Sequence, residues 1–375
     1  MAGIYIHIPF CRQACYYCDF HFSVNQQIRA EMMGAISKEL LLQKDYLQNE
    51  PVKTIYWGGG TPSLLTSSEI KQVLSIIRSI HRIDEDAEIT LEANPDDLTP
   101  LSLTEFREAG INRLSIGIQT LNTKLLKSLN RIHDGPSAVK SFYDAREAGF
   151  SNISIDLMYS LPGETFEDWE HDIIQAIALS PEHISCYSLT IEEKTAFGKW
   201  AAAGKLKPEP DEVSALHLET LMQELSKAGY EHYEISNFAK PDFYSKHNSS
   251  YWKGSRYLGV GPSAHSFNGE SRQYNISNNH AYVKAIQAGT IPFEGEILSR
   301  ENKINEYILT SLRTSWGTDL EFLNRTHGYD LFTENRQYIS QLLNKQLVTL
   351  ENHILKLTNR GKLLADKISS DLFTA

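Results

Sequence analysis

Two hydrophobic periods alternate through the first half of the chain. Ile4-Tyr5-Ile6-His7-Ile8 alternates with a period of two and is rich in β-branched residues, which predicts a strand that Pro9 stops. Positions 26–47 place Ile28, Met32, Ile36 and Leu40 at helical spacing, which predicts a helix with one apolar face. Lys53-Thr-Ile-Tyr-Trp57 reads as a second strand running into Gly58-Gly59-Gly60-Thr61-Pro62, and Thr66 with Glu69 forms a capping box for a helix reaching Ile80. The same pair recurs, with strands at 87–92, 112–119, 152–158 and 183–190 separated by helices that close at Gly110, Gly149 and about Leu179. Glycine at such helix ends suits the left-handed residue that turns the chain.

Six strands alternating with helices predict a parallel sheet with right-handed crossovers. Six fall short of the closed eight-fold barrel, so the expected fold is α/β, an open partial (β/α)6 TIM-like barrel. In that architecture function collects at the C-terminal ends of the strands. Those ends carry Cys11, Cys15 and Cys18, the Gly58–Gly60 run, Glu92, Gln119 and Asp156.

Beyond residue 205 the pattern changes. A helix is expected at 211–228, and 230–275 is rich in aromatic, Asn, Ser and Gly residues. From about 300 the order is three helices, a hairpin at 347–357 and a last helix, the order of a winged helix. The expected division is therefore 1–205 for the barrel, 206–298 for an extension and linker, and 299–375 for a mainly helical, winged-helix-like unit that serves packing or a partner.

Composition narrows the classes. Acidic residues number 47 against 36 basic ones, a net charge of −11, which argues against a nucleic-acid partner. Three of four cysteines lie within eight residues, which is no disulfide framework and points to a reducing compartment. The first residues lack the basic region and apolar run of a signal peptide, and no apolar run approaches the roughly 18–20 residues of a spanning helix. The expectation is a cytoplasmic protein, with peripheral membrane contact and a homodimer both left open.

The cysteine stretch Cys11-x3-Cys15-x2-Cys18 aims three thiolates at one inorganic centre. A structural zinc site has four protein ligands, and three thiolates on a 4Fe–4S cluster leave one iron open for chemistry. Zinc with His21 or Asp19 as fourth ligand, or simply buried thiols, are the other readings. The glycine run lets backbone N–H groups approach an anion, and a tight turn explains it equally well. Asp156 also reads as a satisfied buried acid, Gln119 as a strand-end hydrogen bonder and Arg131 as a surface residue. By itself His247 reads as a surface histidine in a polar loop, with Tyr251 and Trp252 anchoring it to the core.

Taken in order, Tyr5-Ile-His-Ile-Pro-Phe-Cys11-x3-Cys15-x2-Cys18, Trp57-Gly-Gly-Gly-Thr-Pro62, Glu92-Ala-Asn-Pro, Gly117-Ile-Gln119, Asn130-Arg131 and Asp156-Leu-Met-Tyr-Ser-Leu-Pro-Gly163 resemble the radical S-adenosylmethionine superfamily. The similar branch contains oxygen-independent coproporphyrinogen III oxidase and related heme chaperones. The resemblance implies that the three thiolates hold three irons while S-adenosylmethionine chelates the fourth. A reduced cluster of this kind cleaves the sulfonium to a 5′-deoxyadenosyl radical. It also implies that Tyr5 and Tyr17 pack on the cluster or cofactor, that Phe20 lies at the S-adenosylmethionine site, that Gly59, Gly60 and Thr61 receive the methionyl end, and that Glu92 holds the ribose. Gln119, Arg131 and Asp156 match oxidase positions at a second S-adenosylmethionine.

Two features separate the oxidase from the chaperones. The oxidase pattern continues to a fourth cysteine, C-x3-C-x2-C-x-C, where this chain has Phe20 and reads Cys-Asp-Phe as the chaperones do. Lys246-His247-Asn248-Ser-Ser-Tyr251-Trp252 fits the chaperones' H-N-x-x-Y-W pattern, associated with heme, and no C-x-x-C-H for covalent attachment occurs. The implied function is heme binding and delivery to an acceptor protein at a membrane. Oxidative decarboxylation of coproporphyrinogen III is the alternative, and a zinc-stabilised barrel without redox role the remote one.

Overall fold

In the computed structural model, which describes residues 2–374, the six expected strands are β1 (Ala2–Ile8), β2 (Val52–Gly59), β3 (Ile83–Ala93), β4 (Arg113–Gln119), β5 (Ile153–Tyr159) and β6 (His183–Ser188). They pair in chain order and parallel. Side chains alternate between the faces of a strand, so residue parity decides what each face is made of. One parity is apolar. Ile4, Ile6, Ile55, Trp57, Leu91, Leu114, Ile116 and Ile155 join the helices in a single buried core, where each large side chain contributes about 1.5–3 kcal/mol.

The other parity is polar. Gly3, Tyr5 and His7 on β1 stand level with Thr54, Tyr56 and Gly58 on β2. Thr54 and Tyr56 pair in turn with Glu88 and Thr90 on β3. Thr90 and Glu92 pair with Arg113 and Ser115 on β4, and Ser115 continues through Ser154 to His183. The inner face of the open barrel is therefore a column of hydroxyls, carboxylates, imidazoles and one guanidinium. Arg113 is only 1% exposed there, with Glu88 at 4.0 Å.

The sheet does not stop at six strands. After β6 come β8 (Asn237–Ala239) and β7 (Glu231–Glu234), both antiparallel additions. On the other side β9 (Arg256–Val260) lies parallel to β1 and leads to β10 (His265–Phe267), β11 (Ser271–Asn275) and β12 (Phe293–Ile297). The aromatic, Asn- and Ser-rich stretch thus continues the sheet. The expected 26–47 helix is shorter, Arg29–Leu42, because Gln48 and Asn49 take positive φ and the preceding residues form turns.

Residues from Arg300 onward build a second apolar core around Ile304, Ile308, Leu323, Ile339, Leu355 and Ile368. Helices Arg300–Leu312, Leu320–His327 and Arg336–Asn344 pack with a small sheet of β13 (Thr318–Asp319), β14 (Val348–Glu351) and β15 (Ile354–Leu357), the three-helix-and-wing order that the sequence implies. Arg313 fastens this unit to the barrel by donating from Nε to Glu234 Oε1 at 3.0 Å. Among the described residues no helix is long and apolar enough to cross a membrane.

Candidate functional site

The cysteine loop hangs from the end of β1 and is closed at its neck. Cys11 N donates to Ser23 O at 3.1 Å and Ser23 N to Pro9 O at 2.9 Å. Its far side is strapped to residues 129–131. Asn130 Nδ2 donates to Ala14 O at 2.7 Å, Gln13 Nε2 to Asn130 O at 2.8 Å, and Tyr16 N to Leu129 O at 3.2 Å. Two donors then reach the thiols themselves. Thr61 Oγ1 donates to Cys11 Sγ at 3.3 Å and Arg131 Nη1 to Cys15 Sγ at 3.6 Å.

The guanidinium also ties three loops together, since Nη2 donates to Asn94 Oδ1 after β3 and to Gly117 O on β4, each at 2.7 Å. Asn94 Nδ2 in turn donates to Thr61 Oγ1 at 3.3 Å. Arg131 is thus no free surface residue. Tyr17 packs beside it against a small apolar cluster that includes Leu125, Leu129 and Phe197.

Burial pushes Cys11 up to about 11 and Cys18 up to about 12, so ionising them calls for a metal cation that repays the desolvation. Among the described residues no three His, Cys, Asp or Glu side chains gather tightly enough to surround one ion. A cluster asks less, because each thiolate takes a separate iron. His21, the candidate fourth ligand for zinc, is hydrogen-bonded through Nε2 to Asn279 Oδ1 at 2.7 Å, which leaves Nδ1.

The glycine run is needed for closeness. A Cβ on Gly60 would lie 2.7 Å from Phe10 O and 2.8 Å from Ile8 O, and one on Gly59, at φ +105°, would meet the His7 ring at 2.6 Å. Inside the rim Glu92 accepts from Tyr56 OH at 2.7 Å, and burial pushes its carboxyl up to about 7. Asp156 accepts from Ser115 Oγ at 3.2 Å, and burial pushes it up to about 6. Gln119 closes β4 at φ +69°, with its side-chain nitrogen over Gly117.

His247 is neither on the surface nor in a loop. It is 1% exposed, on the short helix Lys246–Trp252, whose first backbone N–H groups are held by Glu88 at 3.1 and 3.0 Å. Its Nδ1 is bonded to Thr54 Oγ1 and its Nε2 to Tyr251 OH, both at 2.8 Å, and its ring stacks on Tyr56 at 4.9 Å. It therefore fills the barrel at the level of Gly3, Thr54 and Glu88, below the Tyr5–Tyr56 layer and away from the cysteine rim. Asn248 N is bonded to Ser245 Oγ at 3.3 Å, and Trp252 lies under the Arg313 guanidinium at 5.4 Å.

A cavity of about 770 Å³ opens between the cysteine loop, the β9–β11 strands and the C-terminal helices. Tyr5, His7 and Phe20 face it from the cysteine side, and Tyr251 and Trp252 from the short helix. Phe20 is 73% exposed.

Residues 5–175 match the Radical SAM superfamily and 298–364 the HemN C-terminal domain. The heme chaperone HemW of Bacillus subtilis is 36% identical over 371 residues, covering 98% of each chain. The chain belongs to the HemW family. HemW of Escherichia coli is 38% identical over 265 residues, which is 70% of this chain and 69% of that one. The fold is also that of Escherichia coli coproporphyrinogen III oxidase, HemN, described as a radical SAM enzyme, at TM-score 0.86, 25% identity, and coverage of 100% of this chain and 90% of that one. Membership of the HemW family, within the radical SAM superfamily, implies a 4Fe–4S cluster and S-adenosylmethionine.

Three parts of the site escaped the sequence reading. Asn94 stands in the quoted Glu-Ala-Asn-Pro, yet nothing there shows that it links Arg131 to Thr61. Arg113 was read only as part of a strand, and its parity with Ser115 is the signal that puts it inside. His7 shares that inward parity with Tyr5 on β1.

Proposed function

We propose that this HemW-family protein binds heme and hands it to an acceptor protein, on a barrel that also carries a 4Fe–4S cluster and S-adenosylmethionine. The observation that carries the reading is the likeness, over almost the whole chain, to relatives named heme chaperone. Phe20 in the place of the oxidase's fourth cysteine supports it.

Cys11, Cys15 and Cys18 hold the cluster, which together with S-adenosylmethionine supplies one-electron chemistry when bound. Thr61 and Arg131 donate toward the ligating sulfurs and offset their charge. Gly59 and Gly60 leave room for a ligand's polar end beside β1, and Tyr5 and Tyr17 bound the space. Glu92, Gln119 and Asp156 present acceptors and an amide to the nucleoside side. Tyr251, Trp252 and Phe20 supply aromatic surface to the porphyrin, while His247, with Asn248 in the same turn, holds Tyr251 in place. The acceptor is a membrane-associated heme protein that the chain meets peripherally.

The test is made on anaerobically reconstituted protein. With reductant, S-adenosylmethionine and coproporphyrinogen III, no protoporphyrin fluorescence develops after oxidation. The same protein loaded with hemin passes it to an apo-hemoprotein, followed by the shift of the Soret band. Sustained protoporphyrin formation that disappears in Cys15→Ser would replace this reading with the oxidase.

A further inference from the structure

We infer that the heme iron is ligated by His265, in the cavity between the barrel and the C-terminal helices, and that His247 is a buried positioning residue. The inference rests on the heme-binding reading above and adds the ligand and the place.

His247 has no lone pair to give. Both ring nitrogens are already bonded at 2.8 Å, and iron would have to break the bond to Thr54 or to Tyr251 inside the barrel. Breaking either leaves a buried polar atom without a partner.

Four histidines line the cavity: His7, His21, His265 and His327. His7 is used at both nitrogens, Nδ1 with Tyr5 OH at 3.1 Å and Nε2 with His21 O at 2.8 Å. His21 is hydrogen-bonded through Nε2 to Asn279 Oδ1 at 2.7 Å, and it belongs to the cysteine loop, three residues after Cys18, not to the aromatic wall of the cavity. Among the described residues the rings of His265 and His327 make no hydrogen bond.

His265 is the better placed of these two. It lies on β10 between β9 and β11, opposite Tyr274, whose ring stacks on it at 5.4 Å and 29°. A ligand on a paired strand is held more closely than one at a helix end, where His327 sits. Burial and the nearby Arg272 keep the His265 imidazole on the neutral side, the form that gives a lone pair to iron.

The surroundings match a tetrapyrrole. The volume of about 770 Å³ lies within the usual range for enclosed small-molecule sites. The Tyr257 ring, between Tyr251 at 4.6 Å and Phe267 at 6.4 Å, gives the sheet side an aromatic wall, and Tyr307 and Phe322 face it from the C-terminal unit. Lys303 at the same cavity forms no ion pair among the described residues and is free for a propionate, whereas Lys253 lies over the Trp316 ring at 4.9 Å and Arg272 is paired with Glu306 at 2.9 Å.

The experiment is a titration of the full-length protein with hemin, read by the Soret band and by low-temperature EPR, alongside metal-free protoporphyrin IX read by fluorescence. His265→Ala is expected to weaken hemin at least about tenfold and to lose the nitrogen-ligand signature, which added imidazole restores. Protoporphyrin IX binding stays at the wild-type level, because only the iron bond is gone. His247→Asn and His327→Ala keep the signature. An unchanged His265→Ala spectrum, or loss of the signature in either other variant alone, overturns the assignment while heme binding stands. Failure of the wild-type chain to bind hemin overturns both.

Discussion

Arg131 Nη1 lies 3.6 Å from Cys15 Sγ, while Nη2 of the same guanidinium donates to Asn94 Oδ1 and to the Gly117 carbonyl at 2.7 Å. One side chain thereby sets the height of the cysteine loop over two strand ends. Arg131→Ala leaves two acceptors unsatisfied, at about 1–3 kcal/mol each. Arg131→Lys keeps the charge and loses the fork. Both variants are expected to take up less iron per chain after anaerobic reconstitution, Arg131→Ala less than Arg131→Lys, with a lower urea midpoint. Wild-type iron content in Arg131→Ala would dismiss the guanidinium as a support of the loop.

Gly60 gives a sharper geometric test. A methyl group there would sit 2.7–2.9 Å from backbone atoms of Ile8 and Phe10, immediately before Cys11, and backbone cannot step aside as a side chain can. Gly60→Ala is expected to destabilise by about 1–3 kcal/mol. It should also lower iron uptake, whereas Gly34→Ala, with nothing within 4 Å of the added methyl, does neither. Iron assay and chemical denaturation of both variants decide it.

The buried carboxylates predict an unusual pH dependence for the apo chain. Burial pushes Glu92 up to about 7 from an ordinary value near 4.5, so between those pH values the folded chain holds a proton that the unfolded chain has released. Stability from this group is fully present below about pH 4.5 and is lost as pH rises through about 7, by an amount on the order of 3 kcal/mol. Asp156, pushed up to about 6, works in the same direction. Glu92→Gln is expected to flatten the fall in urea midpoint between pH 5 and 8. A wild-type slope in that variant would show that Glu92 does not carry it.

Glu39 organises the wall that holds His265. Its buried carboxylate accepts from Gly261 N at 2.8 Å, Asn275 Nδ2 at 2.7 Å, Gln43 Nε2 at 2.9 Å and the Tyr282 hydroxyl. These donors come from four separate segments, so Glu39→Ala leaves several buried donors unpaired, at about 1–3 kcal/mol each. Glu39→Gln, which keeps an acceptor, costs less. Thermal unfolding of the pair measures the difference, and equal midpoints would argue that the network is slack.

The strand and helix periods made the barrel legible, because six repeats of the same two elements leave few topologies. The cysteine loop was legible because its ligands are local in sequence. His247 shows what was not. Lys246-His-Asn-Ser-Ser is polar text, and burial there depends on Thr54, Glu88 and Tyr56, which lie over 150 residues away. β9 was missed for a related reason: Arg256-Tyr-Leu-Gly-Val is short, and its place beside β1 is a long-range pairing that no local period announces. The reach of Arg131 across three loops is likewise a property of the fold and not of Asn130-Arg131 as letters.

The polar column on the inner face of the six strands has a thermodynamic consequence. Exposing apolar surface raises the heat capacity of unfolding and exposing polar surface lowers it. A closed eight-fold barrel fills its interior with layers of branched apolar side chains. Here Thr54, Glu88, Thr90, Arg113, Ser115, Ser154 and His183 take those positions. Per residue, this barrel unfolds with a smaller heat-capacity change than a closed one of equal length, and its stability varies more gently with temperature.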